Sequence, residues 1–371
     1  MTRATVLTTS YPRRSAAWSG TFVATFWSEV QRQGVGVEVI APVRVLRDAK
    51  PLEQGVGLRA VHPRYFSPGV TAPFRRTRRR LSHHGWRRAA RSIVTRRPLP
   101  DWFFGQFLQP AGEAAAALGV EFQRPSFVEI SESETQRWFA AKSSAVVRKE
   151  LELFTGIVTV SDELTELVHD DFGVASDRIL TLRNGVDHSL FRPGESTDMR
   201  ARLDLPGDAM ITVTVARHVE AKGVQVAADA LATVHGSAGL FIGTGPRPPK
   251  GPAVLRAMAV PHDEVRHYLQ AADVFLAPSL AEGCSNAVLE AMAVGLPLVL
   301  SDRPFMREIA DESFAIFVDP QRSDDVAAAI RTLSTNPQKR AEMGARALEA
   351  SADFTISSRA SRLLEWVSQW T

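Results

Sequence analysis

Cysteine is nearly missing from this chain of 371 residues: Cys284 is its one example. No intrachain disulfide can form, and a reducing, cytoplasmic setting is the expectation. No metal-ligand spacing is present either, since Cys284 stands alone and His83 and His84 are adjacent. No apolar run reaches the roughly 18 uninterrupted residues of a membrane span. The best candidate, Val288 to Leu300, is interrupted by Glu290. Nothing in Met1-Thr2-Arg3-Ala4-Thr5-Val6-Leu7 resembles a signal peptide; it leads directly into a strand pattern. No Gly-x-Gly-x-x-Gly follows a strand, because Gly243-Thr244-Gly245 runs on into Arg247 and Pro248. That disfavours a dinucleotide-dependent oxidoreductase. Acids are absent from Arg75 to Arg97, a stretch that holds ten arginines.

The length exceeds one ordinary core and suits two α/β domains. Net charge is only +3, so with the arginine run set aside the remainder is net negative. Strands are expected at Ala4–Thr9, Val37–Pro42, Ser126–Ile130, Gly156–Val160 and Ile179–Leu182. A second set is expected at Ile211–Val215, Gly239–Ile242, Val274–Ala277, Leu296–Leu300 and Ala315–Val318. Apolar strands alternating with helices indicate parallel sheets covered on both faces. The first helix pattern, Thr21 to Gln33, ends at Gly34. Asn184-Gly185-Val186-Asp187, followed by Phe191-Arg192-Pro193-Gly194, suits a linker. The expected division is an N-terminal domain over 1–185, a second over 186–352, and a helical segment over 353–371. Leu363, Leu364, Trp366, Val367 and Trp370 make that segment a docking helix, expected to return to the first domain.

The segment from Pro278 to Pro297 is the most informative. A strand ends at Pro278, a loop carries Glu282, Gly283, Cys284 and Ser285, and a helix begins near Asn286 with Ser285 as its expected N-cap. Free amides and the helix dipole at such a start favour an anion such as a diphosphate. Gly283 lets the backbone approach phosphates closely. The helix is apolar nearly all round, which marks it as buried. Glu290 in its middle is therefore costly without partners. An internal salt bridge and a carboxylate accepting two hydrogen bonds from a ribose diol are both consistent with that position. Cys284 is a small apolar side chain beside the loop, with no neighbouring lysine or histidine to activate it.

Two glutamates eight apart, in Glu282-Gly-(six residues)-Glu290-Ala-Met-Ala-x-Gly-x-Pro, resemble the signature of family 4 glycosyltransferases. Other segments stand in the family's order: Val160-Ser161-Asp162, Asn184 to Asp187, Lys222-Gly223, Ile242 to Pro246 and Ala272 to Ser279. Ser10-Tyr11-Pro12 and Gly20-Thr21-Phe22-Val23 add a weaker match near the start. The resemblance implies the GT-B fold, two Rossmann-like α/β domains facing a cleft. It also implies a retaining, metal-independent transferase using a nucleoside-diphosphate-sugar donor. Glu290 would bind the donor ribose, Glu282 the donor sugar, and Arg217 with Lys222 the diphosphate. Gly283, Cys284, Ser285 and Asn286 would complete the donor loop, and Gly20 would contact donor phosphates or acceptor. Two cations and a helix start stabilise a leaving diphosphate without a divalent metal, so no cofactor is expected. A solvated loop pair is the plainer reading of Arg217 and Lys222. Relatives often carry a histidine after a later strand of the first domain. Here that segment, Phe127 to Glu134, has none, and Glu132 is a candidate to replace its polar contact. Pro261-His262-Asp263-Glu264 is expected near the donor base.

The same nucleotide site would serve a GT-B nucleotide-sugar epimerase, against which the Glu282–Glu290 spacing argues. A nucleic-acid-binding protein built on the arginine run fits poorly, because one short basic run on an α/β pattern matches no common nucleic-acid fold. For Arg75, Arg76, Arg78, Arg79 and Arg80 two readings stand: a solvated helix–loop, or a patch for an anionic acceptor or inner-membrane surface, with Trp86 at headgroup level. The second would place the protein peripherally on a membrane, near a lipid-linked acceptor.

Overall fold

The computed structural model describes residues 2–13, 20–45, 58, 60–67, 75–131, 139 and 142–371; for 75–79 it describes the backbone alone. The chain forms two compact units, residues 1–183 with 359–371 and residues 184–358. Among the described residues no helix is long and apolar enough to cross a membrane.

The first unit is built on strands β1 (Arg3–Thr8), β2 (Gly36–Ile40), β4 (Ala60–Val61), β6 (Trp102–Gln106), β7 (Ser126–Ile130), β8 (Gly156–Thr159) and β9 (Ile179–Thr181). They form one parallel sheet in the order β4-β2-β1-β6-β7-β8-β9. Two short strands, β3 (Val43–Arg44) and β5 (Arg64–Tyr65), pair separately. Every residue of β6, β7 and β8 is buried, as expected for strands covered on both faces. The central strand β6 is absent from the strands expected above. Trp102-Phe-Phe opens with strand-favouring aromatics, but the run is short, is broken by Gly105 and lies among Pro98, Pro100 and Pro110, which read as loop punctuation. Its Gly105 is required by packing, because a Cβ there would lie 2.4 Å from the Cα of Gly112.

The helix Thr21–Arg32 ends as the sequence suggests, with Gly34 at φ 97°. The helix Ile356–Val367 buries Arg359, Ala360, Leu363, Trp366 and Val367, whereas Leu364 and Trp370 are half-buried. Trp366 packs on Phe127 with ring centroids 5.4 Å apart. Only a glycine at 156 leaves room, since a Cβ there would lie 2.2 Å from the indole. Arg359 donates to Glu129 at 2.7 Å, inside the unit. Gln106 donates to the same carboxylate and accepts from the Trp27 indole N–H at 3.0 Å.

The arginine-rich run is the helix Arg75–Val94. Trp86 does not face solvent, contrary to the reading that set it at headgroup level. It is 2% exposed and packs with Leu7, Ala90, Val94 and Phe103 in the core. Trp86, Ala90 and Val94 recur at helical spacing and form the apolar stripe that docks the helix. Several surrounding cations are neutralised from elsewhere in the unit. Arg91 bonds Glu121 at 2.7 and 3.0 Å and Arg97 pairs with Glu38, while His83 hydrogen-bonds Glu113 at 2.8 Å.

The second unit holds β10 (Met210–Val215), β11 (Ser237–Ile242), β12 (Val254–Met258), β13 (Val274–Ala277), β14 (Leu298–Ser301) and β15 (Ala315–Val318). They make a parallel sheet in the order β12-β11-β10-β13-β14-β15. The edge strand β12 is half exposed, and its Val-Leu-Arg-Ala-Met sequence carries no buried-strand signature.

Candidate active site

The chain enters the second sheet at β10, builds outward to β12, and returns to start the other half at β13. Adjacent strands whose connections diverge in this way leave a crevice beyond their C-terminal ends, where α/β sheets bind ligands. The loops after β10 and β13 carry Arg217, Lys222 and the segment Glu282–Asn286.

The two loops are fastened together. Leu280 N donates to Ala221 O at 2.8 Å. Gly223 takes φ 62°, and a Cβ there would lie 2.1 Å from Pro278 O, so only glycine permits this approach. Lys222 Nζ consequently reaches Glu282 Oε1 at 2.6 Å and Ala281 O at 2.9 Å. Ser279 Oγ donates to the same carboxylate oxygen at 3.2 Å. Lys222 and Glu282 each keep 18% of their side chain exposed, so the pair is screened but reachable. Arg217 is exposed and makes no ion pair among the described residues.

The helix Asn286–Val294 starts after Ser285, as its residue types suggest, but the Ser285 side chain makes no capping bond. Its first-turn amides therefore lack a side-chain acceptor, which leaves the helix start open to an anion. Asn184 anchors the preceding loop, with Nδ2 donating to Cys284 O at 2.8 Å and its backbone N–H to Cys284 Sγ at 3.3 Å. Cys284 is buried. The Asn184–Asp187 segment is thus a brace as well as a link.

Glu290 is 7% exposed on the buried helix. Among the described residues its side-chain partner is His262, whose Nε2 lies 2.9 Å from Oε1. His262 opens the helix His262–Ala271 and meets the Phe191 ring edge-on, with centroids 5.4 Å apart. Burial disfavours a charged His262. The hydrogen bond to Glu290 and the charges of Glu290, Asp263 and Asp187 outweigh burial and raise its pKa above the ordinary histidine value. The sequence places His262 in this neighbourhood but gives no sign of the contact with Glu290; Pro261 at the helix entry was the available signal. His218, beside Arg217, is a further buried group the sequence reading passed over. Burial lowers its pKa, and among the described residues its Nε2 has no hydrogen-bond partner. Gly243 and Gly245 pack directly on this loop: Cβ atoms there would lie 1.8 Å from Ala216 O and 2.3 Å from His218 O. Close backbone packing accounts for that Gly-x-Gly pair.

Gly20 belongs to the first unit. It stands at φ 71° before the helix Thr21–Arg32, and a Cβ there would lie 2.4 Å from Ser10 O. Ser131 ends the described part of its segment, and Glu132 lies outside the described residues. The side chains of Arg75, Arg76, Arg78 and Arg79 lie outside them too, whereas Arg80 is exposed.

Comparison with known proteins matches residues 19–190 to the model described as Glycosyltransferase Family 4. Residues 209–336 match the model for Glycosyl transferases group 1. The chain belongs to glycosyltransferase family 4. The glycosyltransferase is 27% identical over 348 residues to a Bacillus subtilis (strain 168) glycosyltransferase named for teichuronic acid biosynthesis, covering 87% of each chain. It is 29% identical over 252 residues to D-inositol 3-phosphate glycosyltransferase 1 of Catenulispora acidiphila, spanning 58% of that protein. Among solved structures it superposes on sucrose-phosphate synthase of Thermosynechococcus elongatus with TM-score 0.82 at 18% identity, covering 100% of this chain and 99% of that one. It also superposes on the Anabaena protein HepE in complex with UDP-glucose, with TM-score 0.74 at 15% identity and full coverage of both chains. The two parallel-sheet units of the glycosyltransferase accordingly have the GT-B fold.

Proposed function

We propose that this glycosyltransferase is a retaining, metal-independent enzyme that takes its sugar from a nucleoside-diphosphate donor held by residues 184–358. The reading is carried by one observation: Lys222 paired with Glu282 beside an uncapped helix start, on the helix that buries Glu290. The HepE structure in complex with UDP-glucose supports the choice of donor class. The helix-start amides and Arg217 take the diphosphate, and Lys222 shifts from Glu282 toward it as the donor enters. Glu282 is then free to accept from sugar hydroxyls and to face the positive charge that develops at the anomeric carbon. Glu290 accepts from the ribose diol through the oxygen lone pairs His262 leaves open.

In the transfer step the bond between the anomeric carbon and the diphosphate oxygen breaks, and its electron pair leaves with the diphosphate. Fixed cations and amides stabilise that departing charge more strongly than the ground state. The acceptor hydroxyl attacks from the same face, and its proton passes to a diphosphate oxygen. Acceptor recognition falls to the unit of residues 1–183.

A thermal-shift panel of UDP, GDP, ADP and TDP and their sugars, run in EDTA, tests the donor. One nucleotide family is expected to raise the unfolding temperature without added metal. The anomeric proton of the product, read by NMR, is expected to show the donor's configuration. An inverted product, or activity lost in EDTA and restored by magnesium, would overturn the proposal.

A further inference from the structure

We infer that the exposed face of the helix Arg75–Val94, together with Phe66 beside it, is a docking surface for an anionic lipid bilayer. Arg80, Leu81, His84, Arg87, Arg88 and Arg91 are all exposed. Their spacing puts them on one side of the helix, opposite the buried stripe of Trp86 and Ala90. Arg91 is engaged by Glu121, whose charge also acts on Arg87, while Arg80, Arg87 and Arg88 make no direct ion pair among the described residues. Unpaired cations in a row repel one another and favour an external anion.

The face is not purely cationic. Leu81 is 55% exposed within it, and Phe66 is 74% exposed. Phe66 belongs to a segment held against the same helix. Ser67 Oγ and Ser82 Oγ lie 2.8 Å apart, and a Cβ on Gly85 would lie 2.8 Å from Phe66 O. Gly85, against which Phe66 packs, is the i+4 neighbour of Leu81 on the helix surface, so the two apolar side chains border one edge of the arginine row. A lone exposed apolar residue is ordinary. Two of them bordering unpaired arginines form the pattern of an interfacial helix, whose cations meet headgroups while apolar side chains enter the acyl boundary. That combination selects a lipid surface over a soluble polyanion. A polyanion would engage the arginines and leave Leu81 and Phe66 in water.

The inference does not depend on the donor chemistry, and its readout is binding to vesicles. The full chain is floated with phosphatidylcholine vesicles, with and without phosphatidylglycerol, at low and high salt. Binding is expected only with phosphatidylglycerol and is expected to weaken with salt. Replacing Arg80, Arg87 and Arg88 together by Ser is expected to lower partitioning by roughly a hundredfold, given about fivefold per basic residue near a surface. Phe66→Ser with Leu81→Ser is expected to lower it about tenfold, with binding to a heparin column unchanged. Every substituted position is solvent-exposed, and an unaltered unfolding transition followed by tryptophan fluorescence, which reads the unit that carries them, certifies that the variants are folded. Absence of wild-type binding at low salt would overturn the inference. So would full vesicle binding by the Phe66/Leu81 variant, which would make the face a general polyanion site.

Discussion

Glu290 and Glu282 are two carboxylates with different surroundings. Glu290 is buried on an apolar helix and held by one imidazole, whereas Glu282 sits on a loop, partly open, against a lysine. Removing Glu290 deletes an acceptor from a dry site, and such a loss costs about 1–3 kcal/mol, or roughly 5- to 150-fold in nucleotide affinity. Calorimetry is expected to show that weakening for Glu290→Ala. Glu282→Ala is expected to bind nucleotide within a few fold of wild type and to lose turnover. Wild-type affinity in a folded Glu290→Ala protein would refute this division. His262 adds a pH signature. Its folded pKa is raised, so its stabilising contribution is complete below the ordinary value of 6.5 and fades as pH rises through the folded value. The gap in melting temperature between wild type and His262→Gln is therefore expected to be widest below pH 6.5 and to narrow above it. A gap constant across pH would mean that the imidazole pairs with Glu290 in its neutral form.

At the scale of elements, the helix Ile356–Val367 is held by a buried charge pair and an interlocked indole. Arg359 is 6% and Glu129 2% exposed at the side chain, and the guanidinium also lies 4.3 Å from the centroid of the Phe26 ring. Cutting one partner from such a pair leaves an uncompensated buried charge, which costs about 3–5 kcal/mol. Arg359→Ala is expected to lose that much stability in the first unit. Replacing both partners, as Arg359→Met with Glu129→Leu, is expected to recover most of it. All seven tryptophans fall within residues 1–183 and 359–371, so denaturation followed by their fluorescence reads that unit separately. If the single and double variants lose equal stability, the charge pair is not the fastening.

For the whole molecule, two parallel sheets were legible because most strands are continuous apolar runs with helical patterns between them. The central strand β6 was not, because the prolines and Gly105 around Trp102, Phe103 and Phe104 read as loop punctuation, whereas burial of these aromatics is what holds them in the sheet. Trp86 was misplaced for a related reason. The arginines around it dominate the local composition, while its alignment with Ala90 and Val94 emerges only from helical periodicity. At the candidate site, the paired glutamate motif and the family resemblance singled out Glu282, Glu290 and Lys222. Their contacts could not be read, because Lys222 with Glu282 and His262 with Glu290 join loops and helices whose approach is set by packing such as that of Gly223 on Pro278.

The first unit is discontinuous in the chain: it is left at residue 183 and re-entered at 359. During synthesis on the ribosome, residues 184–358 emerge before the helix that carries Arg359 and Trp366. The nascent chain can therefore mature the unit of residues 184–358 first, while Glu129 and the gap over Gly156 wait for partners translated after it. Until then the first sheet carries a buried acid without its cation and an aromatic surface without its cover. That half-built state is the one in which this protein is most exposed to chaperones and to aggregation.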